Sequence, residues 1–238
     1  KILNNQNVQY FEQGTNGVSY FQIVKRLPEL TPDELLLLPM ITSYLTELGL
    51  GDADYMDVQH RQSLDVGGIS AFSTIREDIE DNSKVIAYWT LSGKALSRKH
   101  SEFISLLEDT LLTANFIDPA RIKDLLAQSL SRKEQSISGQ GHSLAMSVAS
   151  SGISAVANLS DRVSGLSALL RLREMVRDSS DDKKLSALCE KLQQLYLKIN
   201  AAKSEYLAIS DKSHLGDFKS NLSSGWNKDT GTSEGTLS

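Results

Sequence analysis

One cysteine, Cys189, in 238 residues excludes an internal disulfide and any metal site built from several thiolates. So low a cysteine usage fits a reducing compartment. Positive charge is not in excess either, since 25 Lys and Arg against 30 Asp and Glu leave a net charge of −5. A general nucleic-acid binder carries a basic face, so no nucleic-acid partner is expected. The longest apolar run, around Leu35–Ile41, falls far short of the roughly 20 residues of a membrane span, and no membrane partner is expected. The opening KILNNQNVQY has neither an initiator Met nor an apolar signal core. The expectation is a piece that starts inside a longer protein or was trimmed.

Histidine is equally scarce. His60, His100, His142 and His214 are the four, and none has another within helical reach. Neither HExxH nor HxxEH occurs, so a two-histidine helical zinc site is excluded. HSE at 100–102 opens like the H-x-E of zinc deaminases, but one cysteine cannot supply the P-C-x-x-C half. GLGD at 49–52 and Gly67-Gly68 lack the Walker lysine and the Rossmann spacing.

What is present reads as an ordinary globular chain, 40% hydrophobic and 23% charged, long enough to bury a substantial core. Val8–Gln13 and Val18–Leu27 are rich in β-branched and aromatic residues, and Asn16-Gly17 between them predicts a β-hairpin ended by Pro28. Thr31, Pro32 and Glu34 form a capping box with proline at the first helical position. Leu37, Ile41, Leu45 and Leu48 share one face of that helix and Gly49 stops it, while Pro39 predicts a kink or a later start. Asp52 or Asp54 caps a weaker helix to about Val66. Residues 67–76 and 84–93 read as strands joined by the acidic turn EDIEDN.

Beyond Ser97 the pattern turns helical. Phe103, Leu107 and Leu111 form one stripe, and Asp118-Pro119 starts a helix bearing Ile122, Leu125, Leu126 and Leu130. Another helix is predicted from Asp161 to Arg177, with RLREMVRD (171–178) as its charged face. A third carries Leu185, Leu188, Leu192, Leu195 and Ile199 at a spacing that suits one buried amphipathic helix. Cys189 on it is expected to be an inert buried thiol. EYLAIS at 205–210 predicts a returning strand. Grouped strands, a helical block and one late strand give an α+β class: a mostly antiparallel sheet with helices on one face. The expected organisation is one domain over 1–222 and a linker or disordered tail over 223–238.

GHSLA at 141–145 resembles the G-x-S-x-G nucleophile elbow, which makes Ser143 a candidate serine nucleophile. An elbow needs a buried strand before it, whereas LAQSLSRKEQSIS has leucines at helical spacing. The expectation is that Gly139 and Gly141 break one helix and that Ser143 begins the next.

Four segments extend the reading. TNGVSYFQIVKRLPELTPDELLLLPMITSYLTELG, DYMDVQHRQSLDVGGISAF, TLSGKALSRK and GQGHSLAMSVASSGISAVANLSDRVSGLSALLRL occur in that order over roughly residues 8–210. They are similar to the third domain of the presequence protease branch of the pitrilysin-type zinc metallopeptidases. That resemblance implies a parent chain of four related α+β domains. Its two bowl-like halves, joined by a helical hairpin, would enclose a chamber that degrades unstructured peptides. Zinc would sit on an H-x-x-E-H helix of the first domain, with an Arg and a Tyr of the fourth assisting. Residues 38–49 would match the zinc helix, yet they hold no histidine and Glu47 has no ligand beside it. The resemblance thus implies a non-catalytic domain, with no catalytic or metal-binding residue and zinc only in the full-length enzyme. Its partners would be the other domains of the same polypeptide and an unstructured peptide. Gly67, Gly68, Ile69, Ser70 and Ala71 match a cleft-lining strand that can pair with substrate backbone, or else form an ordinary sheet strand. The compartment would be the cytoplasm in a bacterium and a mitochondrion or plastid in a eukaryote. A free-standing interaction module and a serine hydrolase using Ser143 are the alternatives.

Overall fold

The computed structural model describes residues 2–3, 6–77, 85–153, 155–214 and 216. The acidic turn, apart from Glu77, and the tail expected at 223–238 lie outside them. Six strands form one sheet: β1 (Ile2–Leu3), β2 (Gln6–Glu12), β3 (Val18–Arg26), β4 (Gly68–Glu77), β5 (Val85–Leu96) and β6 (Ser204–Ser210). Seven α-helices are described: α1 (Pro32–Tyr44), α2 (Tyr55–Asp65), α3 (His100–Thr113), α4 (Pro119–Ser150), α5 (Ala155–Ser164), α6 (Leu166–Asp178) and α7 (Asp182–Asn200). The class is α+β, with every strand pair antiparallel except β2 with β6.

The strand order is β1-β2-β6-β3-β5-β4. It corrects the predicted hairpin. Asn16 and Gly17 do form the turn, at φ of 54° and 77°, but β2 and β3 do not pair with each other. The returning strand β6 lies between them. Asp211, directly after β6, accepts from the Thr15 and Gly17 amides at 3.0 and 2.9 Å and so occupies the mouth of the turn. Turn chemistry is local, while the choice of neighbour belongs to a strand almost two hundred residues away.

Alternation sorts the sheet into two faces. Phe21 and Ile23 of β3, Ala87, Trp89 and Leu91 of β5, and Tyr206 and Ala208 of β6 are buried on the helix-covered face. Phe11, Tyr20, Phe72 and Leu96 are exposed, and the strand register puts all four on the opposite face. On the covered side α3 approaches β5 closely, and a Cβ on Gly93 would lie 2.6 Å from the Phe103 ring. Buried Lys25 points the same way and donates to the carbonyls of Asn200 and Ala202 at 3.0 and 2.7 Å. A cation there suits the exposed carbonyls at the end of α7.

The predicted helix starts hold. Thr31 and Glu34 complete the capping box, Asp54 caps α2, and Asp118 with Pro119 opens α4. Pro39 lies inside α1, and its carbonyl accepts from the hydroxyls of Thr42 and Ser43 at 2.9 and 2.7 Å. Helix α1 then tightens into a 3-10 turn at Leu45–Glu47, short of the expected stop at Gly49. The seam helix is α7, with Leu185, Cys189, Leu192, Leu195 and Ile199 buried. Tyr196 joins it to the end of α3, donating to the Leu111 carbonyl at 2.7 Å and accepting from the Ala114 amide at 3.1 Å. Burial pushes its hydroxyl up to about 12.

Two helical expectations are corrected. The single helix expected over Asp161–Arg177 is two helices, because the backbone at Gly165 is extended and the Asp161 side chain fills the space beside it. Conversely, Gly139 and Gly141 break nothing, since α4 runs through both for 32 residues. Each glycine costs a helix about 1 kcal/mol relative to alanine, less than a packed helix of that length can absorb. Ion pairing of Arg173 with Glu134 at 2.8 Å and a bond from Ser147 to Asp161 at 3.4 Å tie α4 to α6 and α5.

Candidate functional site

The GGISA segment forms the start of β4, the last strand of the sheet. Helix α2 ends at Val66, the Gly67 amide donates to the Lys94 carbonyl at 2.8 Å, and Gly68 opens the strand at φ +149°. Only glycine adopts that conformation without strain. From there Gly68, Ile69, Ser70 and Ala71 pair with Lys94, Gly93, Ser92 and Leu91 of β5. Ile69 and Ala71 pack against the core, while Gly68 and Ser70 are exposed. Alternate residues of an antiparallel edge strand turn their N–H and C=O groups away from the single partner, which makes that edge a template for another extended chain.

Beside this corner lies a groove of about 380 Å³, lined by Tyr20, Leu64, Val66, Gly67, Lys94, Leu96, Arg98 and Lys99 among others. Its wall is apolar and open to solvent, with Leu64 63% exposed. Lys99 is held by Asp65 at 3.0 Å and Glu102 at 3.6 Å, and the bond to Asp65 raises its pKa. The sequence reading missed Leu64, Leu96 and the two basic residues Lys94 and Arg98. Leu64 and Leu96 stand off the buried stripes of their elements, a signal that gains meaning only when both meet at one corner.

The remaining candidates do not come together. Ser143 is exposed on α4, 3.4 Å from the neighbouring His142 ring, inside a helix instead of on a strand-to-helix turn. A nucleophile elbow requires that turn. Cys189 is fully buried, and burial pushes its thiol pKa up, as expected of an inert thiol. Glu47 accepts from Gln59 at 2.9 Å and from Arg121 at 3.3 Å, so its carboxylate is engaged. Among the described residues no group of three His, Cys, Asp or Glu is placed to hold a metal ion. No helix among them is long and apolar enough to cross a membrane.

The model of the family described as peptidase M16 subfamily C associated matches residues 1–175. The chain belongs to that family. It is 31% identical over 181 residues to the mitochondrial presequence protease of Danio rerio, a match that covers 75% of this chain and 18% of the relative. The mitochondrial presequence protease of Aspergillus fumigatus is 28% identical over 191 residues, covering 79% of this chain and 18% of its own length. Presequence protease 1 of Arabidopsis thaliana, named as chloroplastic/mitochondrial, is 26% identical over 190 residues, 78% of this chain and 17% of the relative. The chain thus spans under a fifth of the length of these relatives.

Two solved structures share the fold of this peptidase-associated chain. A variant of the ferredoxin protease FusC, in complex with Arabidopsis ferredoxin, aligns at TM-score 0.53 and 13% identity, covering 96% of this chain and 22% of that one. A conserved protein from Enterococcus faecalis aligns at 0.55 and 13%, covering 93% and 51%.

Proposed function

We propose that this peptidase-associated chain is a non-catalytic domain of a zinc metallopeptidase that degrades unstructured peptides in an enclosed chamber. It forms chamber wall and offers the free edge of β4 to substrate. The observation that carries the first half is residues 38–49, the stretch matched to the zinc helix. They contain no histidine, and Glu47 is committed to Arg121 and Gln59. These residues do not fit zinc, so no step of hydrolysis is assigned to this chain. Zinc belongs to another domain of the parent polypeptide, and those domains are this one's partners. The compartment proposed is a mitochondrion or plastid in a eukaryote, where the named relatives reside, and the cytoplasm in a bacterium.

The second half rests on topology. A bound peptide would add a strand beside Gly68–Ala71, with main-chain hydrogen bonds giving affinity and the adjoining groove sorting side chains. The chain is expected to bind no equivalent of zinc by calorimetry and to leave an unstructured peptide uncut. Adding that peptide should slow hydrogen exchange at alternate amides of β4 and spare the rest of the sheet. Tight stoichiometric zinc binding would defeat the first half. Unchanged β4 exchange at saturating peptide would defeat the second.

A further inference from the structure

A second cavity, of about 340 Å³, opens among α1, α4, α5 and α6, away from the β4 corner. Its volume lies within the roughly 300–1,000 Å³ of small-molecule sites. Pro39 and Met40 of α1 and Leu172 and Met175 of α6 supply an apolar floor. Three cations, Arg132, Lys133 and Arg171, stand around it. None of them has a carboxylate within ion-pair distance among the described residues. Lys133 donates to the Ser164 carbonyl at 3.3 Å and Arg171 to the Arg162 carbonyl at 2.6 Å. Asp33 and Glu174 act on Arg171 only from longer range. Burial, with the charge of Arg171, lowers the pKa of Lys133. Burial, with the charge of Arg162, lowers that of Arg171.

A further observation points the same way. Tyr44 lines this cavity and is only 1% exposed. Its hydroxyl lies beside Ser129 and feels the charge of Arg132, yet completes no hydrogen bond of normal geometry among the described residues. A buried hydroxyl without a partner costs about 1–3 kcal/mol, which an acceptor in the cavity would recover. An apolar floor, an unused buried donor and unneutralised cations together select a ligand with an apolar body and one anionic head.

We propose that this cavity binds a small amphiphilic monocarboxylate of the medium-chain fatty acid class, its carboxylate on Arg132 and the Tyr44 hydroxyl and its chain on Met40, Leu172 and Met175. A free acid is favoured over a peptide terminus because the volume is that of a small molecule and the lining carries few polar groups to meet peptide amides. This site is independent of the β4 reading.

The test is calorimetric titration of the 238-residue chain with decanoate, decanol and decyltrimethylammonium, each below its micelle concentration. A tetrapeptide ending in leucine is titrated alongside, as free acid and as amide. Decanoate is expected to bind at one equivalent, about tenfold or more tighter than decanol, with no binding of the cation. Arg132→Gln should weaken decanoate about tenfold and leave decanol unchanged. Tyr44→Phe should weaken decanoate without loss of fold, because the hydroxyl gives up no internal bond; circular dichroism checks this. Equal affinity for decanol, decanoate binding that survives both substitutions, or no binding at all would overturn the proposal. So would a free-acid tetrapeptide that binds more tightly than decanoate.

Discussion

Two closely spaced pairs of glycines lie in this chain, and they act in opposite ways. Gly67 and Gly68 stand where α2 hands over to β4, and Gly68 takes a backbone conformation closed to other residues. Gly139 and Gly141 sit in the interior of α4 with nothing within 4 Å of the Cβ positions they lack. The first pair is demanded by geometry; the second is merely tolerated. The two halves of α4 show why tolerance is possible. The first half buries Ile122, Leu125 and Leu126 completely, whereas the second exposes Met146 at 69% and meets its neighbours through few side chains. A glycine is informative where packing and a sharp turn coincide, and nearly silent on an exposed helical stretch.

Substitutions break this contrast in order of size. Leu125→Ala in the buried half of α4 is expected to cost about 2–5 kcal/mol in urea unfolding, while Met146→Ala in the exposed half stays within about 0.5 kcal/mol. Equal effects would mean that the two halves are packed alike. Gly68→Ala should cost about 1–3 kcal/mol through backbone strain and should also disturb the exchange pattern of β4. Gly139→Ala and Gly141→Ala have the opposite sign, each raising stability by about 0.5–1 kcal/mol, readable as a higher urea midpoint. A loss at either site would reveal a role for the glycine that its open surroundings do not show.

The smallest effect concerns pH. The Gly17 and Thr15 amides hold the Asp211 carboxyl below its ordinary value. A folded-state pKa depressed in this way gives stability that is present above the unfolded pKa of about 3.9 and lost as pH falls through the folded value. Asp211→Asn should therefore flatten the acid limb of the stability curve while leaving the neutral plateau nearly unchanged. An unaltered acid limb would remove Asp211 from any part in fastening β6 to the Asn16-Gly17 turn.

Legibility followed the range of the interactions involved. Thr31 with Glu34, Asp54, and Asp118 with Pro119 marked helix starts correctly, because a cap involves residues three or four apart. Alternation in 18–26 and 85–96 exposed the strands, since the side-chain period of a strand is visible in the order of residues. The GGISA segment was legible as a strand with a sharp beginning, but its place at the edge was not. Leu64 and Leu96, which frame the groove beside it, lie 32 positions apart. Nothing in either neighbourhood announces the other. Gly139 and Gly141 misled because intrinsic cost was weighed without the cooperativity of a long packed helix.

Composition and local order alone determined the α+β class, the helix caps, and a stretch at 38–49 that has no histidine to bind zinc. Those properties depend on which residues are present and on neighbours a few positions away. Tertiary structure decided that β6 parts β2 from β3, that β4 ends the sheet, that α4 continues through two glycines, and that three unpaired cations surround a buried tyrosine hydroxyl. Each of these depends on burial and pairing between segments far apart in the chain, whose energies no single segment carries.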